Sequence, residues 1–506
     1  MEKVREAVKK IREKGYLVSP KTIDMLKEEE NPLEIVKNIE EKEESSSKAI
    51  IEPEDIEEQI KKNKEETDEK PKTKIKGKLK QIPSKEHEKE IEILNKDISK
   101  ESRSKGEVED FVENFKSRYN KIYKILRSRG ENSAVKIENA KKKNEKIKVI
   151  GLITEMKSTK NGHVFMKVED PTGLMKALVP KNKKSIIEKT DELVNDEVIA
   201  LEGHMGNNNL FIISNIHCPD LPVRELKTTE EDIAIATTSD IHIGSNYFLK
   251  ENFENFLKWL KGEKGNKRQR ELAGKIKYLT IAGDIVDGVG IYPEQEKELE
   301  LTDIYLQYKQ FKEYMEEIPD HIEIIIGPGN HDAVNKADPQ PKIPPELIEN
   351  IEELPNVTMI GSPALLKIHG LKLLVYHGTS FDDIIPQIKS ASYENVKGVL
   401  RKTLKSRHLH PIYGEKPITP EREDHLVIEK APDIYHSGHV HKNGYDKYRG
   451  TICVNSGTWQ EKTPFQRRIG HKPTPGRLPI IETKKGKINV LRFDQGLNEE
   501  GVKEKK

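Results

Sequence analysis

Five short motifs, met in one order, constrain this chain more than anything else in its 506 residues. They are Ser239-Asp240-Ile241-His242, Gly283-Asp284-Ile285-Val286-Asp287-Gly288, Gly327-Pro328-Gly329-Asn330-His331-Asp332, Tyr376-His377-Gly378 and Gly438-His439-Val440-His441. Each sits where an apolar, strand-like run gives way to a loop, and helical stretches such as Phe253–Leu260 and Thr302–Met315 alternate with those runs. Alternating strands and helices predict an α/β domain from Ile233 onward, whose strand-end loops gather reactive groups from distant sequence.

The chemistry of the set is coherent. Asp240, His242, Asp284, Asn330, His377, His439 and His441 are too many donors for one tetrahedral site. They suit two divalent cations about 3.5–4 Å apart that share a carboxylate and a water. Mixed nitrogen and oxygen donors favour Mn, with Fe or Zn as alternatives, over Mg or Ca. Asp-x-His and His-x-His put alternate side chains on one side of an extended segment. The glycines before Asp284, Asn330 and His439 let the backbone turn sharply and approach closely. A lone His-x-His is usually a surface pair and a lone Gly-Asp a turn; five such motifs at successive strand ends are neither.

Upstream, composition divides the chain. Residues 1–45 carry helical spacing (Val4, Val8, Ile11, then Ile23 and Leu26) around a Ser19-Pro20 break, predicting a small helical docking module. Residues 46–105 read as a disordered charged linker: no aromatic occurs between Tyr16 and Phe111, and 22 of the 40 residues from Lys61 to Lys100 are charged. A helix led by Val108, Phe111, Val112, Phe115 and Tyr119 occupies 106–145. Across 146–225, five short alternating strands separated by Gly/Asn turns predict a small barrel of the oligonucleotide-binding type. Its only aromatics are Phe165 and Phe211, either of which could lie inside. The α/β domain that carries the five motifs then fills 226–506.

The net charge of +1 announces no nucleic-acid binder, so any DNA contact must be local. The segment from Arg401 to His410 is the best candidate, through Arg401, Lys402, Lys405 and Arg407, with a solvated helix face as the alternative. Gln466-Arg467-Arg468 and Arg477 form a second, weaker patch. Cys218 and Cys453 have no metal-ligand spacing and read as buried thiols. Without an apolar run long enough for a bilayer, or a signal-peptide core, the expected location is the cytoplasm.

Over roughly 233–460 the ordered motifs resemble the calcineurin-like metallophosphoesterase superfamily, which implies a β-sandwich flanked by helices. The resemblance implies that Asp240, His242, Asp284 and His441 hold one metal, and Asp284, Asn330, His377 and His439 the other. His331 then corresponds to the histidine that protonates the leaving group. Asp287 corresponds to the carboxylate that orients it, a job Asp332 could also do. The phosphoprotein phosphatases of that superfamily place an arginine where this chain has Gly288, which turns the expectation toward a phosphodiesterase or nuclease.

The whole layout, helical module, linker, barrel and phosphoesterase domain, resembles the small subunits of archaeal family D DNA polymerases. The SDIHIGS, GDIVDG, GPGNHD, YHG, SGHVH and NSGTWQ segments carry that likeness. It implies a 3′–5′ proofreading exonuclease that works with a large polymerase subunit on DNA, and a sliding clamp is a further candidate partner. The alternatives are a scaffold whose site is idle and a metallophosphatase.

Overall fold

The computed structural model describes residues 82–99, 102, 104–140, 145–348 and 351–494, together with 9, 17–18 and 50–51. Residues 1–74 form one unit, in which Leu17–Val18 (β1) pairs in parallel with Ile50–Ile51 (β2). The helical module expected over 1–45 otherwise lies outside the described residues, as do most of 46–81.

Among its described residues the second unit holds two six-stranded sheets and a barrel. In the first sheet Ala234–Thr238 (β9), Ile276–Ala282 (β10), Glu323–Gly327 (β11) and Val357–Met359 (β12) run parallel; Arg477–Glu482 (β18) and Lys487–Arg492 (β19) close the other edge in antiparallel fashion. All five residues of β9 and all seven of β10 are buried, as expected of strands covered on both faces. Leu279 and Ile281 face the helices Lys250–Leu260 and Ile304–Glu316, where Phe253 meets Trp459 edge to face and Phe256 stacks on Trp259. Tyr278 and Ala282 face the second sheet.

That second sheet contains Ala364–Ile368 (β13), Leu371–Val375 (β14), Ile434–Ser437 (β15), Gly444–Tyr448 (β16) and Thr451–Asn455 (β17), with β14, β15 and β17 parallel. Leu373, Val375, Ile434 and Val454 meet Ile235 and Ile325 of the first sheet, so the inner core is a sheet-on-sheet interface. Val399, Leu400 and Leu404 of the helix Val396–Ser406 cover the outer face. The expected β-sandwich flanked by helices is the architecture observed.

One expectation is overturned at the sandwich edge. Residues 82–99, assigned by composition to the linker, are ordered. Pro83–Glu86 makes a single turn whose Ser84 Oγ donates to Gly274 O at 3.0 Å, and Ile91–Ile93 (β3) pairs antiparallel with β13. Averaged over a charged window the three apolar residues Ile91, Ile93 and Leu94 vanish. They suffice here because the exposed edge of β13 supplies unpaired backbone groups.

The barrel is built from Ile147–Ser158 (β4), Val164–Asp170 (β5), Gly173–Val179 (β6), Val198–Met205 (β7) and Leu210–His217 (β8), and closes in the order β4-β5-β6-β8-β7. Phe211 is fully buried among Val149, Met166, Val168 and Ala177. Phe165 points outward, with Lys157 Nζ 5.6 Å from its ring centre. The helix Val108–Ser128 lays Ile122 and Leu126 against Ile150, Leu152 and Val198 of the barrel. It also sends the buried Arg118 to Asp424 of the sandwich at 2.8 Å. Among the described residues no helix is long and apolar enough to cross a membrane.

Candidate metal centre

The parallel strands of both sheets end on one side of the sandwich. Asp240 follows β9, Asp284 follows β10, Asn330 follows β11, His377 follows β14 and His439 follows β15. The loops that carry them are strained. Asp240, His242, Asp284, His439 and His441 all adopt positive φ, between 49° and 72°, a conformation that costs free energy in non-glycine residues and clusters at functional sites. Two glycines are required by close approach rather than by φ. A Cβ on Gly329 would lie 2.2 Å from Asp284 Oδ1, and one on Gly438 would lie 2.5 Å from Asp240 Oδ2.

The seven expected donors converge. Asp240, His242 and His441 offer one group of ligand atoms, and Asp284, His377 and His439 a second. Asn330 Oδ1 lies 3.0 Å from His377 Nε2 and 2.9 Å from His439 Nδ1, which places it in the second group. A single oxygen, Asp284 Oδ2, is 3.3 Å from His377 Nε2 and 4.0 Å from His242 Nε2, so the carboxylate stands between the two groups. Asp240, His242, Asp284 and His377 are buried almost completely.

The donor set fits cations on its own chemistry. His377 Nδ1 donates to Ala282 O at 2.7 Å, which turns Nε2 toward two oxygens that can only accept. His242 and His441 likewise bring their Nε2 atoms to 3.0 Å of each other, with their Nδ1 atoms committed outward. The His377 contact needs a positive charge, carried by the ring or by a metal, and the His242–His441 contact needs a shared proton or a cation between the rings. Burial pushes the Asp240 carboxyl up to about 6, and the nearby Asp284 carboxylate adds to this against the opposing pull of His377. Burial also acts on Asp284, but the surrounding imidazoles His377 and His331 overcome it and hold that carboxyl well below the usual range.

The supporting residues correct one expectation. The Asp287 carboxylate does not orient His331: Asp287 Oδ1 meets His242 Nδ1 at 2.9 Å and accepts from Gln460 Nε2 at 2.9 Å. His331 Nδ1 instead meets the Asp287 backbone carbonyl at 2.8 Å, while its own N–H donates to Asp284 Oδ1 at 2.8 Å. Asp332 does not reach His331 either. Its carboxylate accepts from Gly329 N at 2.8 Å and braces the loop.

Two further supports escaped the sequence reading. Asp382 Oδ2 meets His439 Nε2 at 3.0 Å, and against the effect of its burial His439 and Lys416 hold that carboxyl well below its ordinary value. The Gln466 amide meets His441 Nδ1 at 2.9 Å. Partners of this kind fix which ring nitrogen faces a metal. Neither lies near its histidine in sequence, so only a fold could reveal them.

The segment expected to present a basic face to DNA is largely used inside the protein. Lys402 is buried in an ion pair with Glu197 of the barrel. Arg407 is buried and donates to Ile428 O and Glu429 O, both at 2.6 Å. Arg401 is exposed but paired with Asp446. Lys405 lines a cavity of about 320 Å³ between the barrel and the sandwich, with Arg129, Lys189 and Arg449. The helix therefore clamps the barrel to the sandwich, and the expected DNA-binding set is broken up by burial.

Residues 235–445 match the DNA polymerase alpha/epsilon B-subunit family. The DNA polymerase II small subunit of Methanocaldococcus jannaschii is 42% identical over 81% of this chain and 70% of its own length. Those of Methanothermobacter thermautotrophicus and Archaeoglobus fulgidus are 38% and 42% identical, over 80% and 79% of this chain and 83% and 80% of their own lengths.

Proposed function

Because the chain belongs to the family of archaeal DNA polymerase II small subunits, we propose that it is the nuclease-bearing subunit of a two-subunit replicative polymerase. In this reading it removes nucleotides from the 3′ end of single-stranded or mismatched DNA and works with a large polymerase subunit.

The observation that carries the proposal is the pair of buried donor groups flanking one carboxylate oxygen of Asp284. Asp240, His242, Asp284 and His441 would hold one divalent cation, and Asp284, Asn330, His377 and His439 the other, with Mn the expected metal. Bound there, such a pair supplies an activated water and offsets the charge that develops on phosphorus. His331 is the proton donor in this reading. With Nδ1–H held on the Asp287 carbonyl, Nε2 is the atom that would give a proton to the departing 3′ oxygen, which keeps it as the product hydroxyl, and the ring is then reprotonated from solvent. Asp287 and Asp382 contribute by fixing His242 and His439.

Gly288 supports a diester over a phosphoprotein. It sits at φ 75°, and a Cβ there would lie 2.5 Å from His331 O, so no arginine side chain can start from this position. The barrel, proposed to be of the oligonucleotide-binding type, keeps Phe211 in its core and offers only Phe165 to a base.

The test is a 5′-labelled single-stranded oligonucleotide incubated with Mn and the full chain. Shortening from the 3′ end that disappears in Asp284→Ala is expected. Inert DNA beside rapid cleavage of a chromogenic phosphomonoester would overturn the reading.

A further inference from the structure

A short helix at the rim of the metal centre has a surface that folding leaves unexplained. Pro464–Arg468 is capped by Thr463, whose side chain accepts from Gln466 N at 3.2 Å. Its Gln466 amide reaches inward to His441, tying the helix to a proposed ligand. Its outward face carries Phe465 and Ile469, 55% and 56% exposed and one helical turn apart, beside the exposed Arg467 and Arg468. Neither guanidinium has an ion-pair partner among the described residues. The position is firm despite the helix's length: His471 N donates to Gln466 O at 2.9 Å, and Thr474 N donates to His441 O at 2.9 Å. Two other aromatics near the site are half-buried and engaged: Tyr292, 6.5 Å from His331, donates its hydroxyl to Glu298 at 3.2 Å, and Tyr393 donates to Asp382 at 2.9 Å.

An exposed ring with two free cations, anchored one side chain away from a phosphodiester-cleaving centre, matches one kind of ligand. Bases present π-faces that stack on aromatics without regard to sequence, and their phosphates pair with arginine. An acidic protein partner would use the arginines but leave the ring without a role. A purely apolar one would leave the arginines unpaired.

We propose that Pro464–Arg468 seats the single strand next to the scissile bond. Phe465, backed by Ile469, stacks a base, and Arg467 and Arg468 hold the flanking phosphates. The inference rests on the nuclease reading for its substrate, but it is testable without turnover. The helix then sets how the strand is held, while the metal centre sets whether it is cut.

The experiment is fluorescence anisotropy of a labelled oligothymidine strand titrated with the full chain in chelator, so that nothing is hydrolysed. Phe465→Ala should weaken binding about tenfold, the size expected for one lost stacking contact, and Phe465→Trp should restore it. Arg467→Ala with Arg468→Ala should lower the salt dependence of binding by roughly two phosphate contacts. Unchanged affinity in both variants, or no strand binding by the unmodified chain, would overturn the proposal. So would normal affinity combined with failure to assemble with a large polymerase subunit, which would make this face a protein interface. A chain that binds the strand through Phe465 yet cleaves no phosphodiester overturns the nuclease reading and leaves this site standing. Cleavage with affinity indifferent to Phe465 overturns this site alone.

Discussion

Asn330 and His331 are neighbours in sequence with opposite expected phenotypes. The Asn330 side chain sits among the donors, whereas the His331 ring hangs on a backbone carbonyl beside them. His331→Ala should therefore lose roughly 10²–10⁴-fold in turnover, the usual worth of general acid catalysis, while still binding metal. Asn330→Ala should lose metal first, which elemental analysis separates from loss of chemistry. The corrected role of Asp287 gives a sharper test. Because its carboxylate holds His242, Asp287→Asn should weaken metal affinity about 10–100-fold, as losses of such supporting partners do. It should leave the dependence of rate on leaving-group acidity as it was; a changed dependence with intact metal affinity would restore the role first expected. Every proposed donor was readable in the sequence because each sits in a short motif at the end of an apolar run. The partners of those donors were not: Asp287 and His242 are 45 positions apart, and Asp382 and His439 are 57. Residue type alone cannot distinguish an aspartate that faces a ring from one whose carbonyl does.

The helix Val108–Ser128 shows what element-level reading captures and omits. Its apolar spacing predicted the helix but not what the face meets: Ile122 and Leu126 pack on the barrel, Phe111 on the sandwich, and Val108 and Val112 stay exposed. The residue that fixes it to the sandwich is Arg118, fully buried, with Nε donating to Asp424 and one terminal nitrogen donating to Pro411 O at 2.6 Å. Nothing in the local pattern separates this arginine from the solvated ones around it. Removing one partner of a buried pair leaves the other charge stranded, so Arg118→Ala should cost roughly 3–5 kcal/mol in chemical denaturation. Arg118→Met combined with Asp424→Leu should cost less than the sum of the single changes. Strand β3 makes the converse case, an element that composition hid. Deleting 82–99 uncovers the edge of β13 and removes the Asn95 Oδ1 acceptor for Leu365 N at 2.7 Å. A lowered melting temperature and a greater tendency to aggregate are the expected results, with unchanged melting as the contrary outcome.

For the molecule as a whole, stability should depend on what the medium supplies to its buried groups. Divalent metal that binds only the folded state adds about 1.4 kcal/mol for each tenfold excess over its dissociation constant. Mn should therefore raise the melting temperature of the wild type in a concentration-dependent way and leave Asp284→Ala nearly unmoved. Protons act in the opposite sense, through histidines outside the centre. His408 Nε2 meets Asp424 at 2.9 Å, while its Nδ1 accepts from His410 N at 3.1 Å, so the ring is satisfied only with a single proton. Burial, with Arg118 adding its charge, pushes His408 down to about 4; burial alone pushes His436, bonded to Thr280 and Ser456, down to about 3. An exposed histidine in the unfolded chain titrates near 6.5. Between that value and the folded ones, the unfolded chain binds protons that the native protein refuses, so stability rises with pH across the window and is lost on acidification. Each pH unit there removes about 1.4 kcal/mol per histidine. His410 works the other way: despite its burial, Asp338 and Asp383 raise it, so its contribution is complete below 6.5 and fades only above. It therefore adds nothing to the acid slope. Denaturant midpoints measured in chelator should fall steeply from pH 6.5 to 4, and His408→Gln, which keeps a donor toward Asp424 but cannot take up a proton, should make the fall shallower. A flat profile across that range, or a slope indifferent to His408→Gln, would show that these rings are not held neutral by the fold.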